Sequence, residues 1–268
     1  MRESVCCMPK PEAPDQFFVA LNELERAEVH FNAVLAVHSA AISAFEVLPT
    51  LPESEGIVAT SLRLRRGMQS TDSPESLTRG AQSIHEAMTA ERDRGFRVIR
   101  GSALIAACAA FEYLIKATFV SQAAFDPSAA ATLLADAKVR LLASDVLGMP
   151  ATEQWFAIAD QLFEQMPNPP RQMNLRVRRF LLDYTYVEDR DKDLAALTSI
   201  FDGTDGAKLD EAFLTRNCLV HNGGRVSSAL ARHTGRRAGD PIVFEAGTLG
   251  SLLEPMRALA RALSTLRF

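Results

Sequence analysis

The sequence predicts an all-α protein, because its apolar residues recur at helical spacing and rarely alternate as they do in strands. In residues 14–48, for example, Phe17, Leu21 and Leu24 follow one another at steps of four and three residues, which places them on one helix face. Only residues 241–245, Pro-Ile-Val-Phe-Glu, have the composition of a strand. We therefore expect a helical bundle with at most one short β element near residues 241–245.

The N-terminal quarter of the chain is predicted to contain one long helix between two irregular segments. Residues 1–13 contain prolines and are expected to be a flexible N-terminus. The helix of residues 14–48 ends at Pro49, since proline cannot continue a helix from its interior. Residues 49–74 show mixed signals and are predicted to be a connector.

The remaining residues, 75–268, are expected to form one helical domain. Ser73 and Pro74 mark the start of its first helix, because serine caps helix N-termini and proline is tolerated in the first turn. The helix of residues 98–124 is apolar nearly all round, a pattern typical of a helix in the middle of a bundle. Further helices are predicted from Asp126 to Gly148, from Thr152 to before Pro167, and over residues 171–184, 189–202, 206–222, 225–234 and 247–266.

The charge of the chain gives it no general attraction for nucleic acid. With 29 basic and 33 acidic residues, the formal net charge is -4, so contact with RNA requires a local basic patch. Arginine is concentrated in residues 171–190 and again in residues 225–237. A charged surface that is merely solvated is the alternative interpretation of these clusters. If they bind RNA phosphates, the candidate residues are Arg176, Arg178, Arg179 and Arg225.

The cysteines and apolar segments are typical of a cytoplasmic protein. The four cysteines lie at positions 6, 7, 108 and 218, without the spacing of a zinc site or a redox motif. The N-terminus lacks the apolar run of a signal peptide, and the longest apolar stretch, residues 103–110, is too short to cross a bilayer. Phosphate-binding loops and the HExxH and GxSxG motifs do not occur. We therefore expect reduced thiols, no membrane association, no metal and no cofactor.

Residues 216–221, Arg-Asn-Cys-Leu-Val-His, have the clearest chemical character, and two glycines follow shortly after them. On a helix, Asn217 and His221 are four residues apart and lie about 40° from each other, on one face. The long Arg216 side chain can reach the same region from the neighbouring face. Because the glycines mark a helix end, one helix terminus would present a guanidinium, an amide and an imidazole together.

Residues 216–224, Arg-Asn-x-x-Val-His-Asn-Gly-Gly, resemble the Arg-polar-x-x-x-His motif of the HEPN superfamily, the helical domains of many prokaryotic ribonucleases and toxin–antitoxin systems. Residues 225–227 and 239–243 are similar to the sequence that follows this motif in bacterial HEPN proteins. Residues 111–116 are similar to the helix that packs against the motif helix. The resemblance covers roughly residues 75–266 and implies a HEPN-like bundle, here with an extra N-terminal helix.

The resemblance implies a metal-independent endoribonuclease that acts as a homodimer. HEPN nucleases bring two such motifs together across a two-fold interface, and this chain has one copy. Arg216, Asn217 and His221 would be the catalytic residues, with Glu112 and Asn222 as supporting residues. The implied setting is a cytoplasmic toxin or antiviral defence system that acts on RNA, with an antitoxin or a regulatory protein as a candidate partner.

The residue types suit RNA cleavage without a metal. The ribose 2'-OH attacks the adjacent phosphate and leaves a 2',3'-cyclic phosphate and a 5'-OH, which requires proton transfer near neutral pH. An imidazole, with an intrinsic pKa of about 6.5, suits the proton transfer assigned to His221. The permanently charged guanidinium of Arg216 suits the phosphate and the charge that develops on it. Asn217 would hold the His221 ring or bind phosphate.

The same residues are compatible with a non-catalytic helical module that binds a protein or a nucleotide. His221 would then favour the negative end of the helix dipole, as a cap. Arg216 would form an ion pair and have no further role. Its candidate partners are Asp210, Glu211 and Glu112.

Glu112 has two interpretations of its own. It lies in the apolar helix of residues 98–124, where a carboxylate is costly to bury unless it is paired. It either orients Arg216 or His221, or forms an ion pair with Lys116 four residues later. His233, in the second arginine-rich segment, is expected to be a surface residue.

Overall fold

The computed structural model describes residues 14–47, 74–128, 130, 149–164, 172–184, 201, 204–245 and 247–265. These residues form eight α-helices. In chain order they are α1 (Pro14–Val47), α2 (Pro74–Asp93), α3 (Arg97–Phe125), α4 (Ala151–Glu164), α5 (Met173–Tyr184), α6 (Thr204–His221), α7 (Ser228–Thr234) and α8 (Thr248–Thr265). No strand occurs in the described ranges, so the predicted all-α class is confirmed.

Helix α3 is the centre of the bundle and packs against α1, α2, α4, α5, α6 and α8. Residues 117–124 are buried on almost all sides, whereas Val98, Ser102 and Ala109 leave one strip of the N-terminal half exposed. By length and composition, α3 could also cross a membrane. However, 67% of its most apolar window is buried inside the fold, as expected of a helix in a protein core.

Helix α1 lies antiparallel along α3. The backbone N–H of Leu24 donates to Ser121 Oγ at 3.2 Å, and further along α1 the ring centroid of Phe31 lies 6.2 Å from that of Phe111. The Tyr113 hydroxyl donates to a carboxylate oxygen of α1 at 3.1 Å. Burial, together with that carboxylate, raises the pKa of Tyr113 to about 12, so the hydroxyl keeps its proton. The extra N-terminal helix is therefore packed on the bundle.

Aromatic rings join α3 to α4 and α5. The ring centroid of Phe119 lies 6.1 Å from Trp155 of α4 and 6.2 Å from Phe180 of α5. Phe180 also contacts Phe163 of α4, with the ring centroids 5.4 Å apart. Truncation of a buried aromatic residue to alanine typically costs about 3–5 kcal/mol. This cluster therefore fixes the position of α5, which carries the first arginine-rich segment.

The turn between α2 and α3 is capped by a side chain of α2. Gly95 and Phe96 have φ values of 68° and 56°, and the left-handed conformation reverses the chain. Glu91 Oε1 accepts from the backbone N–H groups of Val98 and Ile99 at 2.5 and 3.1 Å. These are two of the donors that the start of a helix leaves without an intrahelical partner. The start of α3 is thus fixed by a carboxylate that the sequence did not identify.

The segments on either side of α7 are held together by a β-bridge. The Val226 N–H donates to the Asp240 carbonyl at 2.8 Å, and Arg225 and Pro241 form an isolated antiparallel bridge. Residues 241–245 therefore contribute a bridge and no strand, within the limit that the sequence predicted.

Some predicted segments lie outside the described residues. These include residues 1–13, the connector up to residue 73, most of the helix predicted after Asp126, and almost all of the helix over residues 189–202. The start expected at Asp126 is described: its Oδ1 accepts from the Ser128 N–H at 3.1 Å. The last helix, α8, continues through Pro255.

Candidate functional site

Helix α6 carries the motif on its C-terminal turns. Its buried residues, Leu209, Ala212, Phe213 and Cys218, pack into the core. The ring centroid of Phe213 lies 6.2 Å from that of Phe111 in α3. Because the apolar side of α6 is fixed in this way, the polar residues of the motif are presented on its other sides.

A glycine turn closes α6 directly after His221. The Gly224 N–H donates to the Cys218 carbonyl at 3.0 Å, and the φ values of Gly223 and Gly224 are 58° and 71°. Glycine in the left-handed conformation is a common end of an α-helix, because it has no Cβ to clash with the backbone. Arg97, at the start of α3, fixes the turn because its Nη2 donates to the Gly224 carbonyl at 2.9 Å. The helix end predicted from the two glycines is confirmed.

The polar residues of the motif differ in exposure. Asn217, His221 and Asn222 are exposed, whereas Arg216 is half-buried. Arg216 Nη1 donates to Asn217 Oδ1 at 3.0 Å. The end of α6 therefore presents an amide and an imidazole to solvent, with the guanidinium beside them.

Arg216 keeps a donor that the fold does not satisfy. Its Nε is buried and has no hydrogen-bond partner among the residues that the structure describes. Two of its candidate acidic partners are engaged elsewhere: Glu211 lies 3.9 Å from Arg236, and Asp210 accepts from the Asn174 N–H at 2.8 Å. A buried N–H without an acceptor typically costs about 1–3 kcal/mol. An acceptor supplied by a ligand would remove that cost.

Glu112, the third candidate partner, lies among positive charges from three helices. Burial raises the pKa of Glu112, and the Arg216 guanidinium is the strongest of the nearby charges that oppose this rise. Lys116 and Arg176 oppose it as well. Of the two interpretations of Glu112, the ion pair with Lys116 is not formed, and the Lys116 Nζ instead contacts Asp160 Oδ1 at 2.5 Å. The carboxyl of Glu112 is thus an electrostatic neighbour of both Arg216 and Arg176.

Cys108, one turn before Glu112 on α3, is completely buried. Burial raises the pKa of the Cys108 thiol far above its usual range, Glu112 acts in the same direction, and Arg216 opposes both. The thiol therefore stays neutral and provides a packing surface near Arg216. Cys108 and Cys218 are both free thiols.

Asn217 also lines an open cleft that was not predicted from the sequence. The cleft has a volume of about 640 Å³ and lies between the start of α5, the polar face of α6, and α7. Arg176 enters it from α5, and Arg232 and His233 enter it from α7. The cleft stops short of His221, which lies one turn beyond Asn217 on the same helix face.

Of the four arginines predicted to bind RNA, only Arg176 lines this cleft. Its guanidinium carbon lies 5.6 Å from the ring centroid of Phe163. Arg179 pairs with a carboxylate of its own helix at 3.1 Å, and Arg225 Nη1 donates to a backbone carbonyl at 3.0 Å. Arg178 is half-buried on α5.

Two residues of the cleft, Arg232 and His233, were not selected as site residues from the sequence. The density of arginine in residues 225–237 was the available signal for Arg232, but no spacing shows that α7 faces α5 across a cleft. His233 is exposed, as predicted, and its Nε2 donates to the Ala207 carbonyl at 2.8 Å.

Within the described ranges, no group of three or more His, Cys, Asp or Glu side chains is arranged to hold a metal ion. In comparisons with protein-family models, curated proteins and solved structures, none matches this chain. The chemistry of the site therefore rests on its own geometry.

Proposed function

We propose that this chain is a metal-independent endoribonuclease of the HEPN type that acts as a homodimer. The observation that carries the proposal is the arrangement at the end of α6. His221 and Asn217 are exposed, and the buried Nε of the adjacent Arg216 has no partner in the described part of the chain. Buried polar groups with a purely structural role are normally hydrogen-bonded within the fold, so the unused donor favours a ligand.

In the proposed reaction, the ribose 2'-oxygen forms a bond to phosphorus and the bond from phosphorus to the 5'-oxygen breaks. One imidazole accepts the proton of the 2'-OH, and one imidazolium gives a proton to the departing 5'-oxygen. A homodimer supplies two copies of His221, so each can serve one proton transfer. The products are a 2',3'-cyclic phosphate and a 5'-OH.

Arg216 supplies the charge that this reaction requires at phosphorus. The side-chain oxygen of Asn217 accepts a hydrogen bond from Nη1 at 3.0 Å, which helps to orient the guanidinium. Its remaining N–H groups can then bind non-bridging phosphate oxygens, and a guanidinium does not lose its charge. Removal of a single preorganised donor to a transition-state oxyanion typically costs about 10²–10³ in rate.

The surface beside the motif supports association with a second copy. Val220 of α6 is 47% exposed and Val98 of α3 is 64% exposed. Val98 and Leu219 line an open depression of about 440 Å³ next to the glycine turn. An isologous interface over these residues would cover apolar surface and bring the two His221 side chains into one groove.

The proposed biological setting is a toxin or antiviral defence system in the cytoplasm, with RNA as substrate and an antitoxin or regulatory protein as a candidate partner. This step rests on analogy with HEPN proteins at the level of the fold.

A second candidate function is a non-catalytic module that binds a nucleotide or a protein. It is favoured by the cleft itself, where Arg176 and Arg232 can hold a phosphate without any proton transfer. If the module binds nucleotides, it should bind RNA without cutting it.

The direct test is incubation of the purified protein with labelled tRNA and mRNA in excess EDTA. We expect the wild type to cut RNA and leave 2',3'-cyclic phosphate ends. His221→Ala should reduce the rate by about 10²–10⁴, the usual contribution of a general acid or base. Circular dichroism and elution volume should not change, because the His221 side chain is exposed.

His30→Ala is the matched control, because His30 is an exposed histidine on α1. It should cut RNA at the wild-type rate. A folded dimeric wild type that binds RNA but does not cut it would favour the binding module. Equal cleavage by His221→Ala would show that another group transfers the protons.

A further inference from the structure

We propose that the cleft between α5, α6 and α7 binds the ribonucleotide next to the scissile phosphate, an assignment that rests on the proposed ribonuclease function. Its volume of about 640 Å³ falls within the range of small-ligand sites, about 300–1,000 Å³. The occupant is identified by the charges on the walls, the apolar part of the lining, and the distance to His221.

Two arginines give the cleft its positive charge. Arg176 and Arg232 reach it from different helices. In the part of the chain that the structure describes, neither forms a salt bridge with an acidic residue. Asp210 also lines the cleft, but its carboxylate accepts the Asn174 N–H at 2.8 Å and so serves the start of α5. The cleft therefore favours an anion, and phosphate suits two guanidinium groups.

Arg176 is already oriented before a ligand binds. Its guanidinium carbon lies 5.6 Å from the ring centroid of Phe163, which itself is held in the aromatic cluster of α3, α4 and α5. Through Glu112, Arg176 also shares one electrostatic neighbourhood with Arg216. The motif and the cleft therefore lie in one electrostatic region, in which Arg216 and Arg176 both act on Glu112.

The rest of the cleft suits a ribonucleoside. Met173 and Leu214 provide partly buried apolar surface against which a base can pack. Asn217 lies at the boundary between the cleft and the motif, and His221 follows it after about 6 Å of helix rise. This distance is comparable with the separation of successive phosphates in an extended strand. A strand whose nucleotide lies in the cleft beside Arg176 and Arg232 can therefore continue past Asn217 to Arg216 and His221.

The test uses a short single-stranded RNA that carries a 2'-O-methyl group on every ribose, which lacks the attacking hydroxyl and cannot be cut. Its affinity is measured by fluorescence anisotropy from low to high salt, for the wild type and for Arg232→Gln. We expect the variant to bind about tenfold more weakly, because it loses a charged hydrogen bond. The slope of log K against log salt should fall by about 0.7, the value for one phosphate contact on a single strand.

Arg176→Gln is the second variant. It should also weaken RNA binding and reduce the salt slope, because Arg176 lines the opposite wall of the cleft. Arg79→Gln, an exposed arginine on α2, is the matched control and should keep the wild-type affinity and slope. In cleavage of unmodified RNA, Arg232→Gln should raise KM more than it lowers kcat, since it removes binding outside the reacting atoms. If both cleft variants bind with the wild-type affinity and slope, the assignment is overturned.

The two proposals fail in different ways. If the wild type does not cut RNA but Arg232→Gln weakens binding of the methylated strand, the cleft binds RNA and the nuclease function is wrong. If the wild type cuts RNA and both cleft variants leave KM and binding unchanged, the nuclease function stands and the cleft assignment is wrong.

Discussion

Arginine side chains on the two sides of the C-terminal end of α6 differ in their hydrogen bonds. On the side of the glycine turn, the arginine donors are taken up by backbone carbonyls. Arg97 donates to Gly224 at 2.9 Å, and Arg100 donates to Phe244 at 2.9 Å. On the side of the cleft, which Asn217 lines, the neighbouring Arg216 keeps one donor that the fold does not use. Its Nη1 donates to Asn217 Oδ1 at 3.0 Å, but its buried Nε has no partner among the described residues.

This difference separates a structural arginine from one that is available to a ligand. A guanidinium bound to carbonyls has exchanged water for acceptors within the protein, and it stabilises the segment that it holds. A guanidinium with a buried donor that has no acceptor lowers the stability of the fold. Such a donor gains an acceptor only when a ligand binds. The turn side of the motif therefore stabilises the helix end, and the cleft side is the functional surface.

The largest effect expected on the turn side is a loss of stability in Gly224→Ala. A left-handed conformation costs a non-glycine residue about 1–2 kcal/mol. A Cβ at this position would also lie 2.7 Å from Arg97 Nη2. Displacing that guanidinium would lose a charged hydrogen bond worth about 1.5–3 kcal/mol. Chemical denaturation should therefore show a fall in unfolding free energy of about 2.5–5 kcal/mol.

Gly223→Ala is the matched control for this substitution. Gly223 also has a positive φ, 58°, but a Cβ there would meet no atom within 4 Å. Only the conformational cost of about 1–2 kcal/mol is expected. Equal losses in the two variants would mean that Arg97 does not stabilise the turn.

A smaller change in the free energy of unfolding, which depends on pH, is expected for Glu112→Gln. Because burial raises the pKa of Glu112, the folded state keeps the carboxyl proton to higher pH than the unfolded state does. Above the usual glutamate pKa of about 4.3, the folded wild type is therefore progressively destabilised until Glu112 is fully ionised. Glutamine does not ionise. The unfolding free energy of the variant, relative to that of the wild type, should rise as the pH increases above about 4.3.

Urea denaturation at several pH values checks this prediction. The charges around Glu112, chiefly Arg216, oppose the destabilisation, and they are present in both proteins. The prediction is wrong if the difference in unfolding free energy between Glu112→Gln and the wild type does not change with pH, or if the wild type becomes relatively more stable as the pH rises. Either result would mean that attraction to Arg216 outweighs the burial of Glu112.

The fold was largely predictable because helix periodicity is a local property. The apolar character of residues 98–124 predicted a central helix, and two glycines predicted the end of α6. The cap that Glu91 gives to α3 was not predictable, since it depends on the left-handed turn at Gly95 and Phe96.

The site was predictable only in part. The spacing of Asn217 and His221 indicated a shared helix face, and both residues are exposed. The half-burial of Arg216, and the pairing of Lys116 with Asp160 instead of Glu112, depend on how α4 and α6 lie against α3. Such contacts between distant segments leave no local pattern in the sequence.

The most direct measurement compares Arg216→Gln with Arg97→Gln in thermal unfolding and in RNA cleavage with excess EDTA, on the same preparations. Arg216→Gln should cut RNA about 10²–10³ more slowly with an unchanged or higher Tm. Arg97→Gln should lower the free energy of unfolding by about 1.5–3 kcal/mol, which corresponds to several degrees in Tm. At temperatures well below its Tm, this variant should cut RNA at the wild-type rate. If Arg216→Gln instead lowers the Tm as Arg97→Gln does and cuts RNA at the wild-type rate, Arg216 stabilises the fold and takes no part in cleavage.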